Sequence, residues 1–189
     1  MSVEAFLDWV EQQDGKFELF RGRVIAMAGG TRRHARIAAN IIGALDRKLA
    51  GSGCEVYGSD LALRTARDRI RFPDVAVYCD RTELDFDDDS QRLLERPCVV
   101  FEILSPSTAG QDRAIKLIEY RALPSVDTVV LVEPATRRLD VHQRHNETEW
   151  RSVTHLPGAG LTLRHPAISL TADEIFGPEE AGQGSVGDQ

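Results

Sequence analysis

Cys98-Val99-Val100-Phe101-Glu102-Ile103-Leu104 is the stretch from which the rest of the chain is read. It is a nearly continuous apolar run, the pattern of a central strand covered on both faces. One carboxylate interrupts it. An acid in the middle of such a strand is costly to bury unless it is paired, hydrogen-bonded or bound to a metal. A residue presented to solvent, or half of a structural ion pair, would give the same local pattern. Upstream, Arg71-Phe72-Pro73-Asp74-Val75-Ala76-Val77 sets a second acid directly after a proline at the start of a strand, where the missing N–H suits the first position. The alternation Val75, Val77, Cys79 extends that strand from Phe72 to Cys79. If the two strands are neighbours, two carboxylates meet, and they repel unless a cation lies between them. A donor set of oxygens alone favours Mg²⁺ or Mn²⁺.

Around these strands the periodicity gives an α/β chain. Ser2 to Gln13 reads as a short amphipathic helix capped by Ser2, with Phe6, Leu7 and Val10 on its apolar face. Lys16 to Phe20 and Arg23 to Met27 form a hairpin turning at Arg21-Gly22. Thr31 caps a long helix running to about Ala50, in which Ile37, Ile41, Leu45 and Leu49 recur every four residues before Gly51-Ser52-Gly53 ends it. Glu55 to Thr65 reads as one strand bent at Gly58, and Asp85 to Asp89 as a solvated acidic loop. A helix from about Gln111 to Ala122 follows the Glu102 strand, then a strand from Asp127 to Val132 and a second hairpin, Leu139 to Gln143 with Trp150 to Thr154. Leu161 to Leu163 adds a short strand, and Leu170 to Phe176 ends the ordered chain. Helix, three strands, helix, strand and hairpin imply a mixed sheet flanked by helices, one domain over 1–176 with a disordered tail over 177–189.

The net charge is −7, which argues against a general nucleic-acid binder, but the charge is unevenly spread. From Arg21 to Arg71 eleven basic residues stand against four acids. Arg32, Arg33, His34 and Arg36 crowd the start of the long helix, where the dipole favours phosphate, and Arg71 precedes the Asp74 strand. A solvated mixed-charge surface is the competing explanation. No aromatic-rich stacking patch accompanies these residues. Cys54, Cys79 and Cys98 are odd in number and form no CxxC pair, so they read as small buried hydrophobes of a reducing compartment. No run of about 20 apolar residues offers a membrane span. The N-terminal stretch is acidic rather than basic, so no signal peptide is expected and the cytoplasm is the expected location.

Lys116 falls on the helix after the Glu102 strand, with Asp112 and Tyr120 four residues to either side on one face. An acid–lysine pair at that spacing is also an ordinary helix-surface feature. Glu18 alternates with apolar neighbours in Phe17-Glu18-Leu19-Phe20, as solvated strand residues do. Taken together, Pro73-Asp74-Val75, Glu102-Ile103-Leu104-Ser105-Pro106-Ser107-Thr108 and Asp112-Arg113 with Lys116 and Tyr120 resemble the Uma-type endonuclease family, assigned to the PD-(D/E)-X-K superfamily. The resemblance runs from about Phe17 to Phe176. It implies a restriction-endonuclease-like core carrying N-terminal and C-terminal hairpin additions. Asp74 and Glu102 would be metal carboxylates for Mg²⁺ or Mn²⁺, the backbone carbonyl of Ile103 a third oxygen, and Glu18 an additional acid. The superfamily lysine usually stands two residues after the second acid. That position is Leu104 here, and Lys116 takes the role instead. The implied activity is hydrolysis of phosphodiester bonds in DNA, with a homodimer expected. The alternative is a nuclease fold that only binds DNA or serves in assembly, motivated by the displaced lysine.

Other constellations carry less. His142 and His145 have no cysteine partner and no zinc-ligand spacing. Ser105 and Ser107 lack a nucleophile elbow, and Gly29-Gly30-Thr31 lacks the ending of a phosphate loop. Ser59 and Asp60 read as structural.

Overall fold

The computed structural model describes residues 1–27, 29–84, 90–105 and 110–179, so the acidic loop Asp85–Asp89 and most of the expected tail lie outside the described residues. A six-stranded mixed sheet forms the centre. Its order is β11 (Trp150–His155), β10 (Arg138–Arg144), β9 (Thr128–Glu133), β8 (Pro97–Ile103), β6 (Val75–Tyr78) and β3 (Glu55–Gly58). β8 and β9 are parallel and are joined by α3 (Gly110–Ala122), the crossover expected of a strand–helix–strand unit; the other neighbours are antiparallel.

Each face of this sheet has its own helix. α2 (Arg32–Leu49) starts at Thr31, whose side chain accepts the His34 N–H, and buries Ile37, Ile41, Leu45 and Leu49 against Val75, Val77, Val99, Phe101, Val130 and Val132. Each such side chain contributes about 1.5–3 kcal/mol of burial, which is why a stripe at four-residue spacing holds the helix in place. α3 covers the opposite face, with Tyr120 and Leu117 packed on Val100, Val129 and Leu131. α4 (Ala172–Phe176), started by a Thr171–Glu174 capping box, lies along α2, and the two-stranded sheet of β12 (Leu161–Leu163) and β13 (Ile168–Leu170) precedes it.

A second sheet, absent from the sequence reading, brings the remaining site residues. Its order is β2 (Arg23–Ala26), β1 (Phe17–Phe20), β5 (Arg69–Arg71), β4 (Ala62–Ala66) and β7 (Leu93–Leu94). α1 (Val3–Val10) packs Val3, Phe6 and Leu7 on Leu19, Ala62 and Ile70 of this sheet as a separate small core. The single bent strand expected over Glu55 to Thr65 is two strands in two sheets. The chain turns where Leu61 N–H donates to Gly58 O, and Lys16 ties down Ser59 and Asp60. The reading of three separate thiols is also corrected. β3 pairs β6 with Glu55 opposite Tyr78, so Cys54 and Cys79 are the next facing pair and form a disulfide. Cys98 Sγ lies 3.5 Å from Cys79 Sγ. Among the described residues no helix is long and apolar enough to cross a membrane.

Candidate metal and nucleic-acid site

β6 and β8 pair with Val75 opposite Phe101, so one step further toward the sheet end Asp74 faces Glu102. The two carboxylates that the sequence places on neighbouring strands are therefore in register. Asp74 Oδ2 accepts the Ile103 N–H at 2.7 Å and lies 3.2 Å from His34 Nε2. Glu102 Oε1 accepts from Tyr120 OH at 2.5 Å and lies 3.5 Å from Lys116 Nζ. Both carboxylate side chains are only 13% exposed. Burial pushes the Glu102 carboxyl up to about 7, the Asp74 charge adds to that, and Lys116 and the Tyr120 hydroxyl oppose it. The hydrogen bond to Asp74 raises the His34 imidazole above its ordinary value against the effect of burial.

Lys116 belongs to a chain of buried charges. Its ammonium lies 2.9 Å from Glu18 Oε1, and Glu18 Oε2 accepts from Arg71 Nη1 at 2.6 Å. Arg71 then grips Glu119 with two parallel bonds, Nε to Oε2 at 2.8 Å and Nη2 to Oε1 at 3.0 Å. Thr65 Oγ1 and Arg69 Nη1 each donate to Glu119 at 3.0 Å. Burial works against the Lys116 ammonium, but the Glu102 and Glu18 carboxylates outweigh it and hold the lysine above its ordinary pKa. This network corrects two readings. Arg71 is 1% exposed with its guanidinium taken up by carboxylates, so it cannot reach a DNA phosphate. Glu18 is buried rather than solvated, because Arg71 and Lys116 neutralise it.

His34 departs from the basic group in which the sequence places it and turns to Asp74, whereas Arg32, Arg33 and Arg36 are exposed. Glu119, Thr65 and Arg69 were not identified from sequence. The available signal was that Glu119 and Tyr120 sit three and four residues after Lys116, on the same helical face. His142 and His145 bond to Ser152 and Arg151 on the C-terminal hairpin.

Among the described residues no three His, Cys, Asp or Glu side chains form a ready-made metal cage. The donor set nevertheless suits a hard divalent ion. Asp74 Oδ1 and Glu102 Oε2 have no hydrogen-bond partner among the described residues. The N–H and C=O of one strand residue point to the same edge, so the Ile103 carbonyl opens on the side where its N–H meets Asp74. A cavity of about 30 Å³ lined by Glu102, Ile103, Asp112 and Lys116 has room for a water. Mg²⁺ commonly uses one or two carboxylates and keeps several waters, which this set allows.

A mixed sheet with a helix on each face, with the acid pair and the lysine at its end, has the architecture of a restriction-endonuclease-like fold. The chain belongs to the Uma2 family, described as "Putative restriction endonuclease", which it matches over residues 3–173. It is 30% identical over 177 residues to the uncharacterized protein slr1290 of Synechocystis, covering 93% of this chain and 91% of that one. The uncharacterized protein sll1609 of the same organism is 29% identical over 171 residues, covering 90% and 95%. The fold is that of a solved structure from Anabaena variabilis, "a putative nuclease belonging to DUF820", with a TM-score of 0.72 at 17% identity, covering 93% and 97% of the two chains.

Proposed function

We propose that the chain is a metal-dependent endonuclease hydrolysing phosphodiester bonds in DNA, with Asp74, Glu102 and the Ile103 carbonyl holding Mg²⁺ or Mn²⁺. The observation that carries this reading is the register of Asp74 against Glu102, with the Lys116 ammonium 3.5 Å from the latter. A divalent ion there would supply a Lewis acid for the scissile phosphate and lower the pKa of a water. The protein's part is positioning. Tyr120 fixes one oxygen of Glu102, and the Ile103 N–H and His34 fix one oxygen of Asp74, leaving the other oxygen of each to the ion. Lys116 stays charged at the pH of catalysis, able to orient the attacking water or to neutralise charge developing on the phosphate. Glu18 holds that lysine in place, so it acts on the reaction through Lys116.

The reading takes the protein to be a homodimer in contact through the exposed edge strand β11, and cytoplasmic, a compartment that would reduce the Cys54–Cys79 bond. The test is supercoiled plasmid and short duplexes in Mn²⁺, Mg²⁺ or EDTA, with Glu102→Ala beside the wild type. The expected outcome is cutting that requires metal and falls on the order of 10²-fold or more in Glu102→Ala. Metal-free cutting, or equal cutting by both proteins, overturns it. Folded wild type that binds duplex but neither binds Mn²⁺ nor cuts would instead identify a binding module.

A further inference from the structure

An open groove of about 660 Å³ lies on the flank of α2, with Arg32, Arg33 and Arg36 along one side. Arg137, from the turn between β9 and β10, lines it with Phe176. The three helix arginines are exposed and have no ion-pair partner among the described residues. The first turn of α2 contains no acid, so cations occupy the helix end whose dipole favours anions. That arrangement is unfavourable in the free protein and becomes favourable when an anion is seated there. Arg137 Nη2 donates to Gly177 O at 2.8 Å, and acids meet the guanidinium only loosely, with Asp173 at 3.7 Å and Glu179 at 3.9 Å. Four guanidinium groups thus stand against two carboxylates, in a chain of net charge −7.

The groove opens at the end of the sheet that carries the acid pair. His34, next after Arg33, reaches Asp74, and Ile103 pairs with Val132 just before the turn that presents Arg137. Among the described residues its one aromatic ring, Phe176, is already covered by Arg137 at 5.1 Å, so these residues offer no platform for stacking bases. We propose that this groove seats the phosphodiester backbone of duplex DNA beside the Asp74–Glu102 site, with Arg32, Arg33, Arg36 and Arg137 as phosphate contacts. The proposal deepens the nuclease reading and rests on it for the place of the scissile phosphate. Glu179 is the group a phosphate would displace from Arg137.

The test is anisotropy of a labelled duplex titrated in EDTA across a salt series, which reads binding without cutting. Arg32→Ala/Arg33→Ala/Arg36→Ala should weaken binding about tenfold or more at 0.1 M salt and lower the log–log salt slope by roughly 2–3, since each phosphate contact contributes about 0.9. The corresponding triple lysine variant should keep most of the slope. Arg137→Asn, chosen because asparagine tolerates the left-handed backbone at φ 53°, should weaken binding by itself. An unchanged slope and affinity in the triple alanine variant overturns the groove. So does an equal loss in Arg47→Ala/Arg67→Ala/Arg151→Ala, which removes exposed arginines outside the groove. Wild type that cuts while the groove variant binds normally sinks the groove alone. Groove-dependent binding without any metal-dependent cutting sinks the nuclease reading and leaves the groove.

Discussion

At Glu102 the chemistry proposed for the site opposes the stability of the fold. Its carboxyl is pushed up from 4.5 to about 7, chiefly by burial. Between those values the metal-free folded protein retains a proton that the unfolded chain has released. Stability in EDTA therefore falls as pH rises from about 4.5 to about 7 and stays at the lower level above. Glu102→Gln removes this penalty without stranding Lys116, which keeps Glu18 at 2.9 Å. The variant should melt with the wild type near pH 4.5 and a few degrees above it at pH 8, as expected for a gain of one to a few kcal/mol. His34, raised by Asp74, contributes stability present below its unfolded pKa and lost as pH rises through its folded one, the same sign, so the comparison is repeated in His34→Gln. A melting difference independent of pH would show that Glu102 is not the titrating group. Saturating Mn²⁺ should stabilise the wild type by about 2.7 kcal/mol at a hundred times Kd and leave Glu102→Gln unmoved, offsetting most of the variant's advantage.

At the scale of elements, β8 and α3 show what sequence pattern can disclose. An acid inside an apolar run singles out Glu102 on β8, and residues four apart on α3 single out the face that meets it, because both signals are local. Lys116 and Tyr120 were legible for that reason. β5 was not, since Arg69-Ile70-Arg71 has the look of a polar loop. Its arginines are tolerated in a strand only because Glu18 and Glu119 arrive from elements about fifty residues away. The Cys54–Cys79 bond was hidden for a related reason: facing positions depend on the register of β3 against β6, which no local pattern supplies. That bond has a measurable consequence. It closes a separation of 25 residues, so reduction, or Cys54→Ser/Cys79→Ser, should cost roughly 3 kcal/mol through the unfolded chain. Denaturant titration with and without reductant checks this. An unchanged midpoint would mean the two cysteines are thiols in solution, as a reducing cytoplasm would keep them.

The two larger sheets each have an apolar cluster under a helix, and they are joined by buried charges and by a further cluster that sets Leu94 of β7 with Ala76 and Tyr78 of β6. Glu18, Thr65, Arg69 and Arg71 come from the second sheet, while Glu119 and Lys116 come from α3 on the central sheet. Leu63 of β4 adds an apolar contact to the α3 cluster. Arg71 is the centre of this joint, bonded to an acid on either side. Arg71→Ala would leave Glu119 with Thr65 and Arg69, and Glu18 with Lys116, so neither acid is stripped of every partner. The loss should still amount to about 3 kcal/mol, the lower end for breaking a buried pair, and 1 M salt should not mask it because the pair is shielded from solvent. It should also be local. Hydrogen exchange should quicken in β1, β4 and β5 while α2, β8 and β9 keep their protection, since their core lies with α2 and does not involve Arg71. Arg71→Lys, which keeps a charge but not the fork, should fall between the two. Exchange that quickens equally in both sheets would mean the charges are spread through one cooperative core. The expected pattern would mean that the sheet carrying Glu18 can loosen from the site, releasing Lys116 without unfolding the carboxylate strands.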